Sequence, residues 1–285
     1  MSKVIFLTAF ALLAFAFNSI LCRLALRGGE ADAAGFTIVR LASAAVTLIL
    51  ISLIAIRVSS PHVSKGQLSK GSWLSALWLA AYAICFSLAY LGVTAGTGAL
   101  ILFGSVQLTM LAVSIARGER PPLIEWLGIL VAVTGLVYLV LPGLAAPPLN
   151  SSILMAIAGA SWGLYTLRGK KSTDPLGDTT GNFLRTLVIV PVLAIIFWSS
   201  LHLTPQGTLL AILSGAIASG IGYSVWYAAL KHHTATRAAV LQLSVPVIAA
   251  VLGIFFLSET ANLRLVISGA LVLGGIGLTI AGRKK

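Results

Sequence analysis

The groups that could do chemistry in this chain are few, and their positions are more informative than their types. All seven carboxylates, Glu30, Asp32, Glu119, Glu125, Asp174, Asp178 and Glu259, fall in connecting segments or at the ends of apolar runs. None stands near the middle of a run, where an ion-coupled carrier commonly keeps a titrating acid. The four histidines, His62, His202, His232 and His233, also fall in connecting segments. They do not converge with carboxylates at metal-site or general-base spacing, so neither a metal nor a cofactor is expected. Serines are plentiful, but no Ser/His/Asp set is placed for nucleophilic catalysis within the apolar runs. Cys22 and Cys85 both lie inside such runs and read as buried apolar fillers. The chain is therefore not expected to be an enzyme, with an intramembrane hydrolase as the minor alternative.

What remains is recognition chemistry. Tyr82, Phe86 and Tyr90 recur at four-residue spacing and share one helix face. Tyr223, Trp226 and Tyr227 do the same, with Gly215, Ser219 and Gly222 letting a neighbour approach, and Trp162 and Tyr165 add a third pair. The plain alternative is lipid-facing or interfacial rings, a reading that the terminal Trp73, Trp126 and Trp198 fit. Amides in lipid need partners, so Asn18, Gln107 and Gln242 should face the interior, as helix–helix glue or as solute contacts. The expected substrate-binding set is Phe17, Asn18, Tyr82, Phe86, Gln107, Trp162, Tyr165, Tyr223, Tyr227 and Gln242. Pro246, inside an apolar run, frees one helical carbonyl and is the expected hinge.

A cavity of rings and amides without buried charge suits a neutral solute, such as a zwitterionic amino acid with an apolar side chain. Phosphorylated sugars would need convergent lysine or arginine. Arg40 and Arg185 stand about one turn inside their runs, on opposite membrane sides. Each either snorkels or pairs with a helix end, or else contacts a substrate carboxylate or a gate.

The elements that must position these groups follow from composition. Apolar residues make up 58% of the 285-residue chain and charged residues 9%, with a mean hydropathy of +1.02. A soluble domain has about 25% charged residues, so the expected class is an all-α integral membrane protein. The net charge of +12 belongs to membrane topology rather than to nucleic-acid binding, because the basic residues lie between apolar runs.

Runs long enough to span occur at 4–26, 36–56, 73–93, 98–116, 123–141, 153–167, 181–199, 208–230, 237–257 and 263–281, the sixth being short. The first lacks a small-residue cleavage site and reads as a membrane helix, not a leader. Ten transmembrane helices are expected. Placing both termini in the cytoplasm leaves only Arg23, Arg27 and Arg264 in the outer loops, which sets the orientation.

One unit is present twice. Phe17, Arg23 and Arg40 recur as Trp162, Arg168 and Arg185 at a constant offset of 145. Further on, Tyr90 matches Tyr227, Thr97-Gly98-Ala99 matches Thr236-Arg237-Ala238, Gln107 matches Pro246, and Glu119 matches Glu259. The expected halves are residues 3–143 and 150–283. Five helices is an odd number, so the halves would form an inverted repeat, the arrangement that underlies alternating access. Without a carboxylate relay, a facilitator or exchanger is expected, acting as a monomer on a small solute within the bilayer. A channel or a non-transporting scaffold would belong to a different class.

The Tyr-x-x-(Leu or Val) starts, the small residues after a short turn and the Gly/Ser-Glu endings resemble the EamA-type repeats of the drug/metabolite transporter superfamily. The clearest motif is Tyr227-Ala228-Ala229-Leu230, Ala238-Ala239, Pro246 and Glu259, and the first copy departs from it with Gln107 in place of the proline. The resemblance spans nearly the whole chain. It implies a ten-helix carrier of the bacterial inner membrane with a central cavity. The sequence further resembles this family's bacterial aromatic amino acid exporters, which implies outward movement of aromatic and other neutral amino acids. A broad metabolite or drug exporter of the same superfamily is the alternative.

Overall fold

The structure, a computed structural model, describes residues 2–58, 70–118, 122–143, 146–170, 172–230, 232–233, 238 and 241–282. Glu119, Arg237 and His62 lie outside the described residues. Ten helical rods account for most of the rest. They are α1 (Ser2–Arg27), α2 (Ala33–Val58), α3 (Trp73–Ala89), α4 (Ala95–Ala116) and α5 (Leu123–Val140). Then follow α6 (Leu149–Gly169), α7 (Pro175–Ile196), α8 (Pro205–Leu230), α9 (Ser244–Leu257) and α10 (Leu263–Gly282). Among the described residues the only strand-like pairing is an isolated bridge between Ala31 and Leu203.

Local chemistry sets several of these boundaries. Ser72, Thr94, Asp174 and Thr204 each accept a hydrogen bond from a first-turn amide of α3, α4, α7 and α8, and Pro175 and Pro205 occupy first-turn positions that need no amide donor. The helix α7 begins six residues before the apolar run expected at 181. Its first turns carry Asp178, Thr179, Thr180 and Asn182, which dock against neighbouring protein instead of lipid. It is interrupted at Leu187-Val188. The helix α9 is preceded by a turn at Leu243, three residues ahead of Pro246, which lies in its first turn. Ser258, in the left-handed region at φ 50°, ends it.

Seven of the rods are long and apolar enough to cross a bilayer. The helices α3 and α9 are apolar but shorter, at 17 and 14 residues. The 21-residue α6 carries Asn150, Ser151 and Ser152 at one end and Arg168 at the other. Large apolar side chains stand outward: Leu123 is 76% exposed, Ile195 75%, Phe255 78% and Leu263 72%. A surface of that kind needs lipid as its solvent. The protein is an all-α, multi-pass membrane protein.

Packing separates an inner group from an outer one. The helices α1, α2 and α3 meet α6, α7 and α8 at the centre: α3 packs on α6 and α7, and α8 packs on α1 and α2. The helix α4 lies against α6 and α9, α9 also lies against α1, and α5 pairs with α10. The ring and hydrogen-bond cluster discussed next comes from the inner six.

Candidate functional site

In the middle of α8 the hydrogen-bond pattern widens to a π-helix over Leu213–Ile221, a form often found where a helix is shaped for function. Gly215 makes this possible against α2: a Cβ there would sit 2.2 Å from the Arg40 carbonyl and 2.0 Å from Ser43 Oγ. The two backbones are thus in direct contact. This approach brings Ser214, the last polar group before that contact, to Asn18 of α1, and its hydroxyl donates to Asn18 Oδ1.

From Asn18 a hydrogen-bonded chain continues across the centre. Asn18 Nδ2 donates to the Tyr82 hydroxyl at 3.2 Å, and Arg40 Nη2 donates to the same oxygen at 2.9 Å. The Arg40 guanidinium also lies over the rings of Phe86 and Tyr82, at 4.8 and 5.2 Å from their centroids. Four helices therefore contribute to one polar strip of Ser214, Asn18, Tyr82 and Arg40. Arg40 is 2% exposed, and its Nη1 is buried without a hydrogen-bond partner.

Rings surround the strip. Trp162 lies 5.0 Å from Tyr82, 5.0 Å from Tyr223 and 5.4 Å from Tyr165, with the last pair stacked. Tyr223 in turn meets Phe183 at 6.0 Å and Phe15 at 5.7 Å, and Phe15 meets Trp226 at 5.8 Å. These centroid spacings are those of favourable offset and edge-on aromatic pairs. Tyr165 and Tyr227 face Thr179 of α7, and Tyr165 also faces Asn182.

Of the residues expected from sequence, Asn18, Tyr82, Phe86, Trp162, Tyr165 and Tyr223 come together here, with Tyr227 at the edge. Phe17 lies elsewhere, edge-on to Phe256 at 5.9 Å and packed with Ile20 and Leu257. Gln107 is half-buried, its Nε2 without a partner. Gln242 is half-buried beside the turn that precedes α9. Neither amide joins the Asn18–Tyr82 strip. Phe15, Phe183, Trp226 and Ser214 were not in the expected set. The helical period points to the first of these: Phe15 and Asn18 are three residues apart and share a face, whereas Phe17 is turned by about 100°.

The expectation of a centre without buried charge is corrected. Arg40 neither snorkels nor meets a helix end, because Gly215 draws α8 across it and Tyr82 offers its hydroxyl from α3. Arg185 behaves differently. Its Nη1 donates to the carbonyls of Lys70 and Gly181 at 2.7 and 2.8 Å.

Polar clasps hold the two ends of the inner six. At one end Asp32 Oδ2 accepts from the His202 amide at 2.7 Å, the Thr204 hydroxyl donates to Glu30, and the Glu30 carbonyl accepts from the Thr204 amide at 2.9 Å. At the same end Glu259 accepts from Arg23 Nε at 3.4 Å and from the Ala95 amide at 2.8 Å, while Arg23 also donates to the Tyr90 carbonyl at 2.7 Å. At the other end Asp178 accepts from the Gly71 amide at 3.0 Å, Asn182 Oδ1 from the Ser72 amide at 2.8 Å, and Asp174 from Lys70 at 2.9 Å. Arg168 donates to Ser75 Oγ at 3.0 Å. No group of three or more His, Cys, Asp and Glu side chains able to hold a metal occurs among the described residues.

The inner helices thus hold an aromatic, hydrogen-bonded centre between two polar clasps. Comparison with known proteins makes the class definite. Residues 149–281 match the EamA-like transporter family. An uncharacterized protein of Pseudomonas aeruginosa is 46% identical over 99% of this chain and 96% of its own length. The threonine/homoserine exporter RhtA of Escherichia coli is 28% identical, over 70% of this chain and 72% of the exporter. A crystal structure with 17% sequence identity superposes on the chain with a TM-score of 0.65, covering 100% of this chain and 99% of that one, which shows a shared fold. The chain belongs to the EamA-like transporter family of the drug/metabolite transporter superfamily.

Proposed function

We propose that the protein is an exporter of small neutral metabolites, foremost aromatic and other neutral amino acids, and that the centre built on Tyr82, Trp162 and Tyr223 is its solute site. The observation that carries this reading is the ring cluster wrapped around a polar strip. The flat faces of Trp162 and Tyr82 suit an apolar side chain, and Asn18, Ser214 and Tyr82 supply donors and acceptors for a polar end. Phe86, Tyr165 and Tyr227 extend the wall. Phe17, Gln107 and Gln242 would act from outside this cluster, through helix packing.

The mechanism we infer is alternating access between two five-helix halves, residues 3–143 and 150–283, inverted in the inner membrane with both termini cytoplasmic. Support comes from the packing. Exchanging α1–α5 with α6–α10 turns the α3–α6 contact into α8–α1 and the α4–α6 contact into α9–α1. It returns α2–α7, α4–α9 and α5–α10 to themselves. The two clasps exchange as well: the 30–32 and 202–204 segments take the places of 172–182 and 70–72. Opening one clasp while the other holds would expose the site to one side at a time. With no carboxylate near the centre among the described residues, the carrier would work as a facilitator or exchanger, as a monomer and without a cofactor.

A second reading of the solute, a small hydroxylated amino acid, is favoured by the similarity to the threonine/homoserine exporter. Counter-flow in proteoliposomes separates the two. Labelled phenylalanine outside should enter faster, and saturably, when phenylalanine is preloaded inside. Threonine or homoserine acting alone as the counter-solute would select the second reading. An absence of exchange with every amino acid would reject both.

A further inference from the structure

We propose that Arg40 is the anchor for a carboxylate on the transported solute, so that the protein selects organic acids, amino acids included, over their uncharged amides and their amines. This deepens the exporter reading and rests on it for the transport step, but not for the binding step.

The argument begins with an unbalanced charge. A guanidinium has five N–H donors and stays protonated even when buried. Withdrawing it from water is costly unless an anion and further hydrogen bonds compensate. The ion pairs among the described residues are Arg23–Glu259 and Lys70–Asp174, neither of which involves Arg40. Arg40 has a neutral phenol on Nη2 and two aromatic faces beside it, and nothing bonded to Nη1. Cation–π contact with the two rings offsets part of that cost but supplies no anion and no partner for Nη1.

A static structural role would be served by a neighbouring acid, as Glu259, just past the end of α9, serves Arg23. A buried Nη1 without a partner suits an anion that comes and goes. A carboxylate matches the guanidinium fork geometrically, with two parallel N–H···O bonds. The surroundings then orient the rest of the solute. Asn18 Oδ1, two bonds along the same strip, accepts only from Ser214 and keeps a second lone pair that can accept from an α-ammonium. The Trp162 and Tyr223 faces are left for the side chain. Phosphorylated solutes are disfavoured, because their second charge would find no other cation among the described groups at the centre.

The test uses matched solutes on the purified full-length protein, reading thermal stabilisation in detergent and counter-flow in proteoliposomes. The pairs are phenylalanine with phenylalaninamide and threonine with threoninamide, with phenylpropionate and phenethylamine to separate the two charges. The acids should stabilise the wild type and the amides should need at least about thirtyfold higher concentrations, as for a lost charged hydrogen-bond pair. R40K should narrow that ratio and R40M should remove it. A purely structural Arg40 would weaken acid and amide in parallel and keep the ratio, which overturns the assignment.

Equal potency of acids and amides on the wild type overturns it without any variant. If acids stabilise with the expected ratio but no solute exchanges, the anion site stands and the carrier reading falls. If no acid stabilises the protein, the assignment of Arg40 is overturned whatever is transported.

Discussion

Gly215→Ala is the substitution whose effect follows most directly from the geometry. The new methyl carbon would meet Ser43 Oγ at 2.0 Å, the Arg40 carbonyl oxygen at 2.2 Å and its carbon at 2.9 Å, whereas ordinary contact begins at 3.4 Å. Serine can rotate away, but the carbonyl cannot, so α8 must back off α2 by about 1 Å. Such overpacking costs about 1–3 kcal/mol, with the upper end appropriate where backbone is the obstacle. Alanine returns about 1 kcal/mol through helix propensity. The net loss is about 2 kcal/mol, or about 4 °C in the melting temperature of a chain this large. Gly274→Ala is the control, since nothing lies within 4 Å of a Cβ there and stability should hold or rise. The assay is thermal unfolding of both variants in one detergent, followed by counter-flow. The displaced segment includes Arg40 and Ser214, so Gly215→Ala should also slow exchange. Equal melting temperatures and equal exchange for Gly215→Ala and wild type would refute the claim that these backbones touch.

Three further outcomes are expected. Tyr82→Phe removes the oxygen that serves both Asn18 and Arg40, leaving buried donors unmet; it should cost about 1–3 kcal/mol by thermal unfolding, and wild-type stability would deny the polar strip. Glu259→Gln weakens the Arg23 pair and the charge at the α4 N-terminus by about 1 kcal/mol. The fingerprint is faster labelling of Cys22, one residue before Arg23, by a membrane-impermeant thiol reagent; unchanged labelling would speak against a latch there. Pro246→Ala supplies an amide that can bond back across the Leu243 turn and should slow counter-flow while leaving solute affinity unchanged. Wild-type flux in that variant would end the hinge proposal.

Much of the bundle was legible because lipid simplifies the sequence. Runs such as 123–141 and 263–281 became α5 and α10 with ends shifted by one residue, since a spanning segment must satisfy its own backbone. The expectation weakened where polar residues enter a helix. The first turns of α7 hold Asp178, Thr179 and Thr180, which hydropathy reads as loop; Asp178 docks on Gly71, as Asn182 at the start of the expected run docks on Ser72. At the centre, four-residue spacing found Tyr82 and Phe86, and three-residue spacing from Asn18 would have found Phe15. Arg40 was visible as an arginine inside an apolar run, but its inward turn depends on Gly215 and Tyr82, about 175 and 42 positions away in the chain. No local pattern carries that information.

The contrast between Arg40 and Arg185 explains why only one of these two arginines lies at the centre. The two arginines stand at the same offset of 145, and so do Phe36 and Gly181, each four residues earlier in its helix. At Gly181 the missing side chain lets the Lys70 carbonyl approach to 1.6 Å from where a Cβ would be. Arg185, one turn on, finds that carbonyl and the Gly181 carbonyl, and lies over Trp73 at 5.8 Å. Its charge is absorbed by the clasp. In α2 the same place is filled by the fully buried Phe36 ring, so no loop carbonyl can enter and Arg40 has no local acceptor. It turns instead to Tyr82 and the rings of α3. Gly181 and the Lys70 carbonyl it admits thus together distinguish an arginine that closes an end from the unpartnered one at the centre. On this reasoning a bulky residue at 181 would loosen the 70–72 segment and release Arg185 as well, and a glycine at 36 would not by itself close the site, because no loop carbonyl is delivered to α2.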